Sequence, residues 1–230
     1  MNRRGPVIAI DGPSGVGKST ISRMIARRLG FRYIDTGAMY RAFAVAADDE
    51  GVDVNDEDAL GRFCRTVEIR FGGDEGERIF LNGRDYTDRI REPSAGKLAS
   101  IVSTRRKVRE FLVELQRRIA RDGCVVMEGR DIGTVVFPDA EVKIFLDASS
   151  RARAERRYTQ LAPSNAVRAV EDVAREIEER DERDRNRPHS PLKKADDAVY
   201  IDTTELGIRE VEERIMEIVE ERLAGGGTDS

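Results

Sequence analysis

The sequence predicts an α/β fold: a parallel β-sheet flanked by helices, with a small antiparallel β lobe and a charged helical segment inserted into it. Three observations carry this. Short apolar runs alternate along the chain with stretches of 3.6-residue period. Two of those runs, Cys124–Met127 and Val142–Leu146 (interrupted only by Lys143), are almost continuously apolar, as strands covered on both faces are. From Thr66 the period drops to two and turn residues interrupt it.

The elements follow in chain order. Val7, Ala9 and Ile10 form a first strand ending at Asp11, before a Gly-rich turn. Ile21, Met24, Ile25, Arg28 and Leu29 then keep helical spacing, and Gly30 closes that helix. Phe31–Ile34 is a second short strand, followed by a helix over Ala38–Asp49 with Met39, Phe43 and Ala46–Ala47 on one face. Val67, Ile69 and Phe71 alternate with polar residues; Gly72–Gly76 turns the chain, Arg78–Leu81 extends, and Asn82–Gly83 is a hairpin signal before Arg84–Asp85–Tyr86. Pro93 precedes one helical stretch over Ser94–Arg121. Ser149–Arg187 is densely charged with helical period, Val199–Ile201 is a last strand, and Ile208–Leu223 an amphipathic closing helix. Gly225–Ser230 reads as a disordered tail.

Composition narrows the classes. With 230 residues, 39% hydrophobic and 37% charged, the chain supports one sizeable core carrying small lobes beneath a charged surface. The formal net charge of −4 offers no general basic field for a nucleic acid, which counts against a nucleotide-dependent RNA-binding module. Of the 40 cationic side chains only six are Lys, so the cations are overwhelmingly the planar forks that match phosphate and carboxylate. Cys64 and Cys124 are too few for a disulfide scaffold and read as buried thiols in a reducing compartment. With no apolar run of membrane-spanning length and no signal-peptide pattern, the expectation is a cytoplasmic protein with no membrane partner.

Gly12–Pro13–Ser14–Gly15–Val16–Gly17–Lys18–Ser19 fits the P-loop pattern at every fixed position, with a strand entering and a helix leaving. Glycines let backbone N–H groups turn inward around an anion, and the helix N-terminus adds its positive dipole end. Lys18 is placed to neutralise β- and γ-phosphates, and the Ser19 hydroxyl to ligate Mg²⁺. The motif implies a nucleoside triphosphate without saying what the triphosphate does. A regulatory GTPase needs an Asn-Lys-x-Asp run, which is missing. A motor ATPase ends an apolar strand in Asp-Glu; here the nearest equivalent is Met127–Glu128, followed by Gly129–Arg130–Asp131. That arrangement suits a kinase whose acceptor sits beside the metal, with Glu128 reaching Mg²⁺ through water. A phosphate acceptor is already ionised at neutral pH and needs no general base, so a chain with one histidine, His189 in a loop-like Arg–Pro–His–Ser–Pro setting, is suited to it.

These stretches resemble bacterial-type cytidylate kinases along nearly the whole chain. The resemblance is carried by Ile10–Gly15, Asp35–Arg41, Glu128–Pro138, Lys143–Ser149 and Arg180–Arg187. It implies a P-loop kinase core (about 1–35, 94–148 and 190–224), an antiparallel monophosphate-binding lobe (about 36–93) and a helical lid (about 149–189). It also implies phosphorylation of CMP and dCMP by ATP with Mg²⁺, in a monomer. The implied donor site is Gly12 to Ser19 with Thr20, approached by Arg156, Arg157 and Arg180 from the lid. Thr36, Ser100, Arg109 and Asp131 would surround the cytosine, Arg41, Arg130 and Arg187 would hold the acceptor phosphate, and Asp184 the ribose. Lys18, Arg130, Arg180 and Arg187 form the implied catalytic set, and Ser19 and Glu128 the metal site. Thr36 stands where many relatives have Ser, and Glu128 where some have Asp.

The chemistry of the base agrees. Cytosine presents a donor at N4 and acceptors at N3 and O2, which a carboxylate and an arginine complement. Uracil would turn an acceptor toward Asp131, and mismatches of that kind discriminate by ~10⁴-fold. Two alternatives stay open from residues alone: Asp131 as a salt bridge to neighbouring Arg130, and a uridylate- or shikimate-type acceptor. Arg153, Arg156 and Arg157 share one helix face, as do Arg180, Asp184 and Arg187. Glu178, Glu179, Asp181 and Glu182 are expected to form solvated i,i+4 pairs.

Overall fold

A computed structural model describes residues 5–73, 76–161 and 170–225. Five strands form the central sheet: β1 (Val7–Asp11), β2 (Arg32–Asp35), β6 (Val125–Gly129), β7 (Val142–Asp147) and β8 (Val199–Asp202). Their order is β2-β6-β1-β7-β8, and every neighbouring pair is parallel. Strand β1 shows why both faces must be covered: Val7 and Ala9 belong to one core, Ile8 and Ile10 to the other, and all four are fully buried. Helices α1 (Lys18–Leu29) and α8 (Ile208–Gly225) cover the second face through Ile21, Ile25, Val211 and Ile215. Helices α2 (Thr36–Asp49) and α5 (Arg106–Ile119) cover the first through Met39, Phe43, Val108 and Leu112. Each such aliphatic or aromatic side chain contributes roughly 1.5–3 kcal/mol by leaving water.

The antiparallel lobe forms as its alternation predicts. Strands β3 (Ile69–Gly72), β4 (Arg78–Leu81) and β5 (Arg84–Asp85) pair in sequence order. Pairing of Ile69 with Leu81 and Phe71 with Ile79 turns Ile69, Ile79 and Leu81 inward, toward the core that α2 shares. Asn82 (φ 49°) and Gly83 (φ 78°) make the tight hairpin between β4 and β5. Residues 74 and 75 of the expected Gly72–Gly76 turn lie outside the described residues, as do 226–230 of the expected tail.

Three expectations need correction, and one helix was not anticipated. The single helix over Ser94–Arg121 is two, α4 (Pro93–Val102) and α5. Between them the Ser103 and Thr104 hydroxyls donate back to the carbonyls of Ser100 (2.9 Å) and Ile101 (2.8 Å), and Arg105 turns extended (ψ 123°), as side chains that compete with helical bonding do. Glu57–Cys64 is a helix, α3, capped by the Asp56 side chain, which accepts from Asp58 N–H (2.8 Å) and Ala59 N–H (3.0 Å). Cys124 is exposed, with left-handed backbone at φ 50°, and β6 starts only at Val125. The charged segment forms α6 (Ser150–Leu161) and α7 (Val170–Asn186), but Asp181 is 1% exposed and belongs to no solvated face.

Gly12 is a tightly packed point where the P-loop meets the core. A Cβ there would lie 2.1 Å from the Leu146 carbonyl oxygen, at a φ of 149° that side chains rarely adopt. Gly12→Ala is therefore expected to destabilise by about 2–4 kcal/mol through overpacking and backbone strain. A thermal melt should show a Tm lower by roughly 5–10 °C.

Candidate active site

The site lies outside the carboxyl ends of the parallel strands, where the strand order reverses and open α/β sheets bind their ligands. Register places a carboxylate at or next to the end of each strand: Asp35 opposite Glu128, Ile10 opposite Glu128 with Asp11 following, and Asp147 opposite Asp202. The P-loop joins the end of β1 to α1. Gly17, at φ 93°, caps α1 without any side-chain hydrogen bond, so the first N–H groups of the helix have no side-chain acceptor from the cap. Val16 is buried in the core below, and Ser19 and Thr20 are exposed above. Lys18 is buried, and its Nζ donates to the Pro13 carbonyl at 2.6 Å. Burial and the neighbouring Arg130 and Arg180 push its ammonium down to about 7, against the pull of Glu128.

The cleft over this loop is lined by Ser14, Gly15, Gly17, Lys18, Ser19 and Thr20 from the P-loop side. Arg23, Arg41, Arg130, Arg157 and Arg180 also line it, with Arg78 and Arg91 from the antiparallel lobe's side, and its carboxylates are Asp35, Glu77, Glu92 and Glu128. So many cations in one concavity is the electrostatic signature of a polyanion site. Arg180 is pushed down to about 10 by burial and by Arg130, and its Nε is buried without a hydrogen bond. Glu128 is buried; its carboxyl accepts from the Tyr33 hydroxyl, and burial and Asp35 raise its pKa. Arg156 is not brought to the cleft: it donates to the Thr203 hydroxyl (2.9 Å) and carbonyl (2.5 Å) instead. Gly12, Pro13 and Val16 shape the loop from below.

Next to the cleft lies a second, largely buried polar group. Arg109 donates to Asp131, Arg187 stands 3.5 Å from Asp131 and 3.9 Å from Asp184, and Arg130 donates to Asp184 at 3.0 Å. Burial opposes an ionised Asp184, but Arg130, Arg180 and Arg187 outweigh it and hold the carboxyl below its usual range. The pairing of Arg130 with Asp184, and of Asp131 with Arg109 and Arg187, replaces the neighbouring Asp131–Arg130 bridge that the sequence left open. Tyr40 Oη, Ser100 Oγ, Arg109 Nε and Arg187 Nη2 are buried here without hydrogen bonds. Orphaned polar atoms are rare in folded proteins, and a cluster of them marks a place shaped for a polar ligand. Thr36 borders the group, with its hydroxyl donating to the Glu128 carbonyl at 2.7 Å.

Sequence reasoning missed three residues. Tyr40 sits one helical turn after Thr36 on α2, with Arg109 5.8 Å from its ring centroid, and burial pushes its phenol up to about 12. The i,i+4 spacing from Thr36 was the available signal. Tyr33 aims Glu128, and no pattern announces it. Asp11 was visible only as the end of β1. Its carboxylate accepts from the N–H groups of Ile132 (2.9 Å) and Gly133 (2.8 Å), anchoring the π-helical turn Ile132–Val136 that follows Arg130 and Asp131. His189 is exposed, as a loop histidine should be.

A divalent cation would find the Ser19 hydroxyl and the Glu128 carboxylate at the P-loop, and no cluster of three acidic, His or Cys ligands exists among the described residues. That sparse oxygen set fits an ion such as Mg²⁺, which keeps its waters and takes phosphate oxygens, and does not fit an all-protein cage. No helix among the described residues is long and apolar enough to cross a membrane.

Comparison with known proteins adds a family. The cytidylate kinase family model matches residues 8–221. A cytidylate kinase from Geobacter sp. (strain M21) is 47% identical over 227 residues, covering 98% of this chain and 97% of that one. One from Geobacter sulfurreducens is 49% identical over 221 residues, covering 96% and 95%. Among solved structures, a gluconokinase from Sinorhizobium meliloti 1021 is 15% identical with a TM-score of 0.50, covering 98% of this chain and 99% of that one. That last likeness concerns the fold alone.

Asp11 yields a prediction with a definite sign. Burial, only partly offset by the two N–H groups, pushes its carboxyl up to about 6 from 3.8. The folded chain thus holds this proton more tightly than the unfolded one, and stability present below about pH 4 is lost as pH rises through 6. Asp11→Asn cannot ionise. Its stability relative to the parent should rise by up to about 3 kcal/mol between pH 4 and pH 7, measured by denaturant melts at each pH.

Proposed function

Since the chain belongs to the cytidylate kinase family, we propose that it transfers the γ-phosphoryl group of ATP to CMP and dCMP. The observation that carries this reading is the buried Arg109–Asp131–Arg187–Asp184 group, with its orphaned donors, set beside a P-loop. A triphosphate lies along Gly12–Thr20, with Lys18 against its β- and γ-phosphates and Arg157 and Arg180 closing from the lid. Arg41, Arg130 and Arg187 hold the acceptor phosphate, and Asp184 the ribose. Asp131 accepts from cytosine N4, and Arg109 donates to N3 and O2, each turning part of its present pairing toward the base. Residues of about 36–93 then carry the acceptor, and about 149–189 act as the lid over the donor.

In the transfer, an acceptor phosphate oxygen bonds to the γ-phosphorus as its bond to the β–γ bridging oxygen breaks, and ADP leaves. The acceptor is already an anion, so this chain's residues position and neutralise, and none has to remove a proton. Lys18, Arg130, Arg180 and Arg187 converge on the developing charge. Ser19 would hold Mg²⁺ directly and Glu128 through water, and the bound ion would supply further charge cancellation between the two phosphate chains. Closure of the lid excludes water, which otherwise would compete with CMP for the phosphoryl group.

A panel of nucleoside monophosphates with ATP and Mg²⁺, assayed for ADP release, tests the reading. CMP and dCMP should be the best acceptors, and a preference for UMP or for no monophosphate would refute it. Lys18→Ala should lower kcat by ~10²-fold or more, because a fixed cation is lost from the developing charge. Asp131→Ala should impair CMP phosphorylation and erode selectivity. Its ratio of kcat/KM for CMP to that for UMP should fall at least ~10-fold, and an unchanged ratio removes Asp131 from base reading.

A further inference from the structure

Within the Arg-rich segment, one ion pair takes no part in the chemistry above. Arg153 on α6 and Asp181 on α7 are 3% and 1% exposed, and the Arg153 guanidinium donates to the Asp181 carboxylate. Neither lines the cleft. Both grip the P-loop from behind. Asp181 Oδ1 accepts from the Ser14 N–H at 3.2 Å, and Arg153 Nη1 donates to the Ser14 carbonyl at 3.1 Å, so both backbone groups of Ser14 are held. Arg153 Nε also donates to the Ala148 carbonyl just past β7, at 3.1 Å, and Nη2 to the Ser150 hydroxyl at 3.4 Å. Packing is equally close. A Cβ on Gly15 would lie 3.0 Å from the Arg153 carbonyl oxygen and 3.1 Å from its Cβ.

We propose that Arg153 and Asp181 are positioning residues that fix the phosphate cradle in register with the two lid arginines of the cleft. Arg157 is one turn beyond Arg153 on α6, and Arg180 is the residue before Asp181 on α7; both line the cleft with Ser14 and Gly15. A single guanidinium fork thus ties together the P-loop, the end of β7 and both lid helices, which a lysine could not do from one point charge. Stability alone does not account for the pair. A buried ion pair is commonly no more stable than a well-packed apolar one, but an apolar pair could not satisfy the N–H and C=O of Ser14. The proposal rests on the reading that the triphosphate occupies the P-loop.

The test uses the full chain and separates donor from acceptor. Binding of ATP with Mg²⁺ is measured by calorimetry, and KM for CMP by ADP release, in Asp181→Asn and in the apolar double variant R153M/D181L. Folding is checked by circular dichroism and Tm. Both variants should weaken ATP binding at least ~10-fold while KM for CMP changes by less than about 3-fold, with the double variant still folded at the assay temperature. A folded variant that lacks the pair and binds ATP as the parent does would overturn the proposal. Hydrogen exchange in the parent needs no variant to fold. ATP should slow exchange in residues 177–184 of α7 together with the P-loop, and protection confined to the P-loop and α1 would overturn the proposal. A parent that binds no ATP would overturn the reading of the P-loop itself, a result distinct from either of these.

Discussion

Cations crowded together around one cleft are the constraint that organises this molecule. Buried Lys18 and half-buried Arg130 and Arg180 line it together, and two unit charges 4 Å apart repel by about 4 kcal/mol at an effective dielectric of 20. The fall of Lys18 and Arg180 below their usual pKa values comes first from burial, with that repulsion added. What makes the arrangement tolerable is the parallel sheet. Its register delivers carboxylates to one edge, and Glu128 and Asp11 stand there beside Lys18. The fold is therefore inseparable from the charge balance. Shifting β6 by one residue against β1 would turn Glu128 to the other face of the sheet and leave Lys18 without its carboxylate.

The same carboxylates divide into two kinds by what they touch. Glu128 faces cations and the cleft, so on the proposed reading its charge belongs to the chemistry. Asp11 faces two backbone N–H groups, so its charge belongs to geometry, holding the turn after Asp131 in place. Asp184 and Asp131 do both, since each is paired with arginines while bordering atoms that have no partner. This difference explains why a buried carboxylate with a raised pKa is not by itself a sign of catalysis here. Asp11 titrates near 6 because of burial, and nothing about its position reaches a reacting atom.

Much of this was legible in the sequence where chemistry demands fixed spacing. The P-loop appears as a contiguous pattern because backbone amides must surround one anion, and the hairpin at Asn82–Gly83 appears because only certain residues adopt its left-handed backbone. Arg109 and Asp131 were named together by the resemblance, and the hydrogen-bonding needs of a base agree, yet their mutual contact crosses from α5 to the residue after Arg130 and has no local trace. Residues that act through tertiary contact were lost. Asp181 sits among Glu178, Glu179 and Glu182 in a run whose i,i+4 pattern is that of any solvated helix, and only burial separates it from them. Arg156 and Arg153 have the same ambiguity in reverse. One turn of helix carries both, and the structure sends the first to Thr203 and the second to Ser14. The break between α4 and α5 was missed because hydroxyls bonding back to the helix leave the apolar period intact on either side.

The proposed lid helices carry a small core of their own. Among the described residues the buried apolar contact between α6 and α7 is Ala154, Val173 and Ile177, with Val170 and Ala174 partly covered beside them. So small a cluster contributes little beyond what ordering the two helices costs, and segments of this kind open at low free energy. Arg153 and Asp181 lie at the edge of that cluster nearest the P-loop, where the helices are bound to Ser14. Opening there would have to break buried charged hydrogen bonds. On the proposed reading, the part of these helices that must stay aligned with the reacting phosphates is the part held by charge.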